Sequence, residues 1–286
     1  MTVVADLRQS FHKSLLDAGV LSVSDQGIVS NADSSSAPSK RLSRSIYDQI
    51  NSKSSGFSKK LAGQTSGSGF ESLCAEFLRE AFAALNHLRP GEWIVGKDGV
   101  QGGQGVSYFE QFAHLAQLEA LGKADPSLRA ILRSDYLIKP DVLVARRPLG
   151  DTEINKNSDL VGADGFVSFS PLRLVNNQRL ILHATVSCKW TMRSDRAQNA
   201  RTEALNLMKN RKGRVPHIVV ITGEPTPGRI ASLAYGTGEI DCVYHFALHE
   251  LIEAIRNDAS DDEALSAMIE GKRLRDISDL PFDLTM

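Results

Sequence analysis

Three side chains whose types suit phosphodiester hydrolysis occur at defined places along the chain: Asp141 in a Pro-Asp pair, Lys189 and Glu203. This reaction needs a hard cation on carboxylate oxygens, a group that orients the attacking water, and positive charge against the transition state. Asp141 and Lys189 supply parts of all three if neighbouring strands bring them together. We therefore predict a metal-dependent active site centred on Asp141, Lys189 and Glu203.

A second carboxylate is needed because one acid holds a magnesium ion poorly. The position two residues before the lysine is Ser187, which cannot replace a carboxylate. Glu203 lies fourteen residues after Lys189, on a predicted helix that can turn back towards the metal. Glu71 is a further candidate at the predicted start of another helix. An ordinary first-turn glutamate, favoured by the helix dipole, is the stronger alternative for Glu71.

Residues 179–190 (RLILHATVSCKW) predict a long strand whose side chains alternate between two faces. One face is apolar and includes Cys188, so only the Cys188 carbonyl is expected to serve the site. The other face becomes polar at Ser187 and Lys189. A solvated lysine at a strand end is the more common role for any single lysine. The predicted strand 136–144, which carries Asp141, favours the catalytic interpretation instead.

The stretch 193–196 (RSDR) carries groups that suit base recognition at a predicted helix start. Arg193 and Arg196 match guanine O6 and N7, and Asp195 can accept from cytosine N4, so together they suit two consecutive G·C pairs. Arg196 and Glu203 share one helix face, roughly 10 Å apart along the axis. A helix cap or first-turn acid is the more common role for Asp195 by itself.

Charge distribution leaves nucleic-acid binding open, although the formal net charge is −1. Residues 37–60 hold six Lys and Arg against one Asp, and residues 186–216 hold eight against two acids. Ten acids against four bases in residues 250–286 balance them. A basic cleft on a near-neutral protein is compatible with a polyanion, but charge runs are also typical of solvated faces.

Helical and strand patterns interleave along the chain, which predicts an α/β fold with a central mixed β-sheet flanked by helices. Predicted helices cover 4–18, 70–85, 109–121, 194–209 and 247–258, and predicted strands cover 136–144, 179–190, 217–222 and 241–246. Residues 31–41 are a predicted exposed loop. The Gly- and Ser-rich residues 63–69, the glycine-rich residues 95–108 and the TPGR stretch at 226–229 are further predicted loops.

Length and composition suit one domain over residues 1–286, with a helical and loop part at 1–70 and a catalytic core at 71–286. Three cysteines are too few and too scattered for a disulfide framework or a zinc site. The chain contains no run of eighteen apolar residues and no pattern of a signal peptide, so the cytoplasm is the expected compartment.

The whole motif set resembles a known enzyme family: Pro140-Asp141, then SCK at 187–189, RSDR at 193–196 and Glu203. It is similar to the NgoMIV-type restriction endonucleases, type II enzymes of the PD-(D/E)XK superfamily in the group that recognises a CCGG core. Length and order agree over most of the chain, and a displaced glutamate beside a serine like Ser187 is a feature of this subgroup. The resemblance implies a restriction-endonuclease-like core. It also implies Mg²⁺-dependent double-strand cleavage of a palindromic GC-rich DNA site containing CCGG, expected as GCCGGC.

The resemblance also implies roles for individual residues. Mg²⁺ would be bound by Asp141 and the Cys188 carbonyl, with Glu203 and Glu71 nearby and Lys189 as the catalytic lysine. Readers of DNA would be Arg193, Asp195 and Arg196 for CCGG, Arg229 and Asp33 for an outer G·C pair, and Gln64 in the minor groove. The family further implies a homotetramer, a dimer of dimers that engages two DNA sites.

Two alternatives remain open from the sequence. A sequence-specific DNA-binding protein of the same fold that does not cut has no reason to retain Asp141, Lys189 and Glu203 together. A repair or recombination nuclease that recognises DNA structure has no need of base-reading groups at 193–196.

Overall fold

The computed structural model describes residues 2–53, 63–97, 105–125, 127, 138–192, 194–236, 238–258 and 263–286. For residues 63–65 and 194–197 this description covers the backbone alone. None of the described helices combines the length and apolar character needed to cross a bilayer.

A mixed sheet forms the centre of the described structure, with six strands in sequence order. They are β1 (Trp93–Lys97), β2 (Val142–Arg146), β3 (Ile181–Lys189), β4 (His217–Thr222), β5 (Cys242–His245) and β6 (Leu274–Asp276). The pairs β1–β2 and β2–β3 are antiparallel, and β3 to β6 are parallel. The predicted α/β fold with a central mixed sheet is confirmed.

Helices surround this sheet. They are α1 (Val3–Asp17), α2 (Ala37–Ser52), α3 (Gly63–Leu85), α4 (Ala113–Ala124), α5 (Asp151–Ile154), α6 (Ser194–Asn210), α7 (Pro227–Ala234), α8 (Leu248–Asp258), α9 (Glu263–Glu270) and α10 (Leu280–Asp283). Short 3₁₀ turns cover Val106–Tyr108 and Glu110–Phe112. α3 packs against β1, β2 and β3. α6 lies on the other side, where its residue Glu203 borders a small cavity with Ser187 of β3.

β3 is buried on both faces over most of its length, because helices cover both sides of a central strand. Val186 and Ala184 on one face are fully buried, and Thr185 on the other is 2% exposed. On the predicted polar face the polar side chains are half-exposed at the end of the strand, at Ser187 and Lys189. β2 is shorter than predicted, so Asp141 directly precedes the strand.

The beginning of α3 corrects one prediction. Residues 63–69 were expected to form a loop, yet the helix starts at Gly63 and passes through residue 70, the predicted end of the N-terminal part. Close packing explains one of its glycines, because a Cβ at Gly69 would lie 2.7 Å from Cγ2 of Val20. Packing of α3 against Val20 requires a residue without a side chain at this position. The stabilisation that this packing gives outweighs the low helix propensity of glycine.

Three further loop predictions are wrong in part. α2 begins inside the predicted loop 31–41, with the Ser36 hydroxyl as its N-cap accepting from the Ser39 N–H. Asn31 in the same loop is fully buried, and its Nδ2 donates to the Gly223 carbonyl at 2.7 Å. The glycine-rich stretch predicted from residue 95 begins inside β1. The TPGR stretch forms the start of α7.

Candidate active site

Asp141 and Lys189 meet where the start of β2 lies beside the end of β3, because these strands are antiparallel. Lys189 Nζ donates to Asp141 Oδ2 at 3.1 Å, and the Cys188 N–H donates to the same oxygen at 2.7 Å. The Ser187 hydroxyl lies 3.5 Å from that oxygen. The predicted proximity of Asp141 and Lys189, and the shared face of Ser187 and Lys189, are confirmed.

A cavity of about 550 Å³ opens beside this pair. Polar groups dominate its lining, and both Asp141 and Glu71 border it. The lining residues are Ser30, Gly67, Ser68, Glu71, Asp141, Cys188, Lys189, Trp190, Thr191 and Asn199. Two carboxylates and one ammonium therefore face a common space large enough for a phosphate group with its cation.

Glu71 lies more than two turns inside α3, since the helix begins at Gly63. Its predicted place in a first turn is therefore wrong, and the helix dipole does not account for this glutamate. Its carboxylate is paired with Lys97 at the end of β1, with 2.9 Å between Nζ and Oε2. Lys97 also donates to the Ser68 carbonyl at 3.2 Å. Sequence reasoning missed Lys97, because β1 itself was not predicted.

Glu203 approaches from the α6 side of the sheet. Its Oε1 is buried, and its side chain borders a separate small cavity with Pro140 and Ser187, the neighbours of the Asp141 pair. Within the described residues, no three His, Cys, Asp or Glu side chains cluster as a ready-made metal site. Asp141, Glu71 and Glu203 thus converge on one end of β3 from different elements without forming one tight group.

The Cys188 thiol belongs to the core, as the strand alternation predicted. Its sulfur interacts with that of Cys74 on α3, and this hydrogen bond together with burial raises the pKa of the Cys188 thiol well above its usual value. Both cysteines are buried. A neutral buried thiol leaves the backbone carbonyl as the part of Cys188 that can serve a metal.

The side chains of four predicted base readers lie outside the described structure. Arg193 lies outside it entirely, and for Asp195, Arg196 and Gln64 only the backbone is described. Asp195 and Arg196 fall in the first turn of α6, and Gln64 falls in the first turn of α3. The predicted helix that follows Arg193 is confirmed. The roles of these four side chains stay predictions.

Arg229 and Asp33, the two predicted outer readers, form an ion pair with each other. The hydrogen bond from Arg229 holds the pKa of Asp33 well below its usual range. Arg229 Nη1 also donates to the Met192 carbonyl at 3.3 Å, one residue before Arg193. The structure therefore brings this pair to the chain segment that leads into α6.

Comparison with known proteins identifies the family. The sequence model described as NgoMIV restriction enzyme matches residues 11–286. The type II restriction enzyme NgoMIV of Neisseria gonorrhoeae is 50% identical over 282 residues, which cover 98% of this chain and 97% of that protein. The chain belongs to the NgoMIV restriction enzyme family. As a member of the NgoMIV family it is a DNA-cleaving enzyme, which favours cleavage over the alternative of binding alone.

Solved structures with some similarity to this NgoMIV-family chain include two restriction endonucleases. The complex of PspGI with substrate DNA has 14% identity and a TM-score of 0.37, over 99% of this chain and 92% of that one. Bse634I with cognate DNA has 12% identity and a TM-score of 0.36, over 87% and 91%.

Proposed function

We propose that the chain is a cytoplasmic, Mg²⁺-dependent type II restriction endonuclease that cuts both strands of the palindrome GCCGGC, and that residues 1–286 act as one endonuclease domain. The observation that carries this proposal is the Asp141–Lys189 pair at the border of a carboxylate-lined cavity, in a member of a restriction enzyme family.

Asp141 is the first proposed metal ligand. The Cys188 N–H and Lys189 Nζ both bind its Oδ2, so Oδ1 accepts neither of these bonds. Glu71 and Cys188 border the same cavity, so the Cys188 carbonyl is a further proposed ligand. Glu203, the fourth proposed ligand, borders the separate small cavity with Pro140 and Ser187. All four are hard oxygen donors, which fit Mg²⁺. When bound, Mg²⁺ would supply Lewis acidity to the scissile phosphate and to the attacking water.

Lys189 is the proposed catalytic lysine. Its side chain is 17% exposed, and its ammonium is held at the cavity by Asp141. From there it can orient the attacking water and place positive charge against the pentacoordinate transition state at phosphorus. Lys97 pairs with Glu71, the second carboxylate of the cavity. A cation bound by Asp141 Oδ1 would leave Lys189 in place on Oδ2, whereas binding to Glu71 would compete with Lys97.

Recognition is proposed for the N-terminal end of α6. Arg193, Asp195 and Arg196 would read the CCGG core, and Glu203 lies two turns later on the same helix. α6 would therefore carry the base-reading residues at its start and a proposed metal ligand two turns later. Gln64 would contact the minor groove from the start of α3, the helix that carries Glu71.

The outer G·C pair is proposed to be read by Arg229 and Asp33. A guanidinium donates to guanine O6 and N7, and a carboxylate accepts from cytosine N4. Because the two side chains touch, they lie close enough together to contact the two bases of a single pair. Their contact is the support for assigning both to the same base pair.

A homotetramer, built as a dimer of dimers on two DNA sites, is the proposed assembly. Two-fold DNA sites match two-fold protein dimers. Residues 160–175 expose several large apolar side chains, among them Phe166, Val175 and Phe169, which is 97% exposed. Exposed apolar surface of this kind is typical of an interface between subunits. Sedimentation of the protein and its rate on one-site and two-site plasmids test the assembly.

The deciding experiment is a digest of plasmids with and without GCCGGC, in Mg²⁺ and in EDTA. Discrete fragments from the first plasmid, produced only in Mg²⁺, are the expected result. Absence of cleavage would favour a DNA-binding protein, and nicking that follows DNA structure would favour a repair nuclease. Lys189→Ala serves as the inactive control for contaminating nucleases.

A further inference from the structure

Glu224 is a buried carboxylate without a role in the site as described so far. It follows β4 and is 1% exposed, and burial raises its pKa. Burying an ionisable group is unfavourable unless its partners compensate. Its nearest cationic partner in the described structure is Arg229, with 3.8 Å between Nη1 and Glu224 Oε2.

The carboxylate of Glu224 connects two distant parts of the chain. Oε2 accepts the Met192 N–H at 3.0 Å, and Arg229 donates to the Met192 carbonyl at 3.3 Å. Met192 is therefore held on both sides, by Glu224 and by Arg229. The next residue is Arg193, so the clamped peptide leads directly into the segment proposed to read CCGG.

The same loop also reaches the catalytic strand. Thr222 Oγ1 donates to the Lys189 carbonyl at 3.0 Å and accepts the Glu224 N–H at 3.1 Å. The Gly223 N–H donates to the Lys189 carbonyl as well, at 2.9 Å. Hydrogen bonds thus join Glu224 to the catalytic strand end and to the start of the recognition segment, and an ion pair joins it to Arg229.

We propose that Glu224 is a positioning residue for specificity, which holds Arg229 against Met192 so that the outer base pair is read in register with CCGG. The inference rests on the proposed function, because it assigns Arg229 to the outer pair. A purely local role is the competing explanation: Oε1 accepts the Thr226 N–H at 3.1 Å and thereby caps the turn before α7. A local cap does not require the contacts to Met192 or Arg229.

The test compares rates of cleavage on four duplexes that keep CCGG and vary the outer pair: GCCGGC, CCCGGG, ACCGGT and TCCGGA. Glu224→Gln keeps the size of the side chain but presents an amide donor to one of the N–H groups. We expect the preference for GCCGGC over the other three to fall roughly tenfold or more, since a lost base contact changes discrimination by about that factor. Glu224→Asp, which keeps the charge but withdraws it from Met192, should show a smaller loss of preference.

Glu250→Gln is the matched control, because Glu250 is a similarly buried carboxylate whose cationic partners are Arg8 and Lys53 rather than Arg229. It should lower the melting temperature and leave the outer-pair preference unchanged. The proposal is overturned if Glu224→Gln and Glu224→Asp lower stability but preserve the wild-type ratios. A wild-type enzyme that cuts a different palindrome would overturn the proposed site alone. In that case, the cut sites of wild type and Glu224→Gln are mapped on a library of random sequences. If the two proteins show the same preference at the outermost base pair of the recognition site, the inference about Glu224 fails as well.

Discussion

Moving a metal-binding carboxylate from α6 to β3 tests the displaced glutamate directly. Glu203→Ser removes a proposed ligand, and Ser187→Glu in the same protein returns a carboxylate from the strand. Ser187 Oγ lies 3.5 Å from Asp141 Oδ2, and Ser187 and Glu203 border one small cavity. The longer side chain extends about 2.5 Å beyond the serine hydroxyl. Its carboxylate therefore reaches the space that Glu203 now borders.

The expected loss of rate depends on the lost metal ligand, and the expected recovery depends on how accurately the new carboxylate is placed. Losing a metal ligand worth about 3 kcal/mol of transition-state stabilisation lowers the cleavage rate on the order of 100-fold. A misplacement of about 1 Å can itself cost two orders of magnitude, so the double variant should regain only part of the loss, about tenfold. Single-turnover cleavage of a GCCGGC plasmid across a Mg²⁺ series measures both steps.

Two control variants make this result interpretable. Ser187→Glu alone should slow cleavage, because its new carboxylate crowds Asp141 and Glu203 around one cation. Glu253→Ser makes the same substitution on an exposed face of α8 and should have no effect. A double variant that folds and binds DNA normally yet is as inactive as Glu203→Ser would refute the idea that Glu203 acts only as a metal ligand.

Four further substitutions test other parts of the site and fold. Lys189→Ala should abolish cleavage but retain specific binding, because Lys189 contacts Asp141 at the cavity; digestion and gel shift on one duplex measure both, and undiminished cleavage would contradict the assignment. Asp195→Ala should weaken binding to a CCGG duplex by about 1–3 kcal/mol with the fold intact; unchanged binding with earlier melting would favour a helix cap. Lys97→Met should lower the Mg²⁺ concentration for half-maximal cleavage, because its ammonium, 2.9 Å from the Glu71 carboxylate, no longer competes with the cation; a midpoint that does not move counts against this. Gly223→Ala should lower the free energy of unfolding by about 1–3 kcal/mol, since a Cβ there would lie 2.8 Å from the carbonyl oxygen of Trp190, the residue after β3; urea unfolding measures this, and an unaltered midpoint would show that the backbone relaxes.

Elements whose pattern is local were predictable from the sequence. The alternation in residues 179–190 predicted β3, and the apolar run at 217–222 predicted β4 with the bounds that the structure has. Asp141 and Lys189 could be placed together because neighbouring strands constrain where their ends lie. The motif spacing around them was specific enough to indicate the family.

Contacts between distant residues were decided by the tertiary structure alone. α3 extends through a Gly- and Ser-rich stretch because Gly69 packs against Val20, which no propensity of that stretch encodes. Lys97 neutralises Glu71, and Arg229 pairs with Asp33 across 196 positions of sequence. Such pairings depend on which surfaces the folded sheet and helices bring into contact. Periodicity records only whether a side chain faces the core, so it determined the elements but not the partners of their polar side chains.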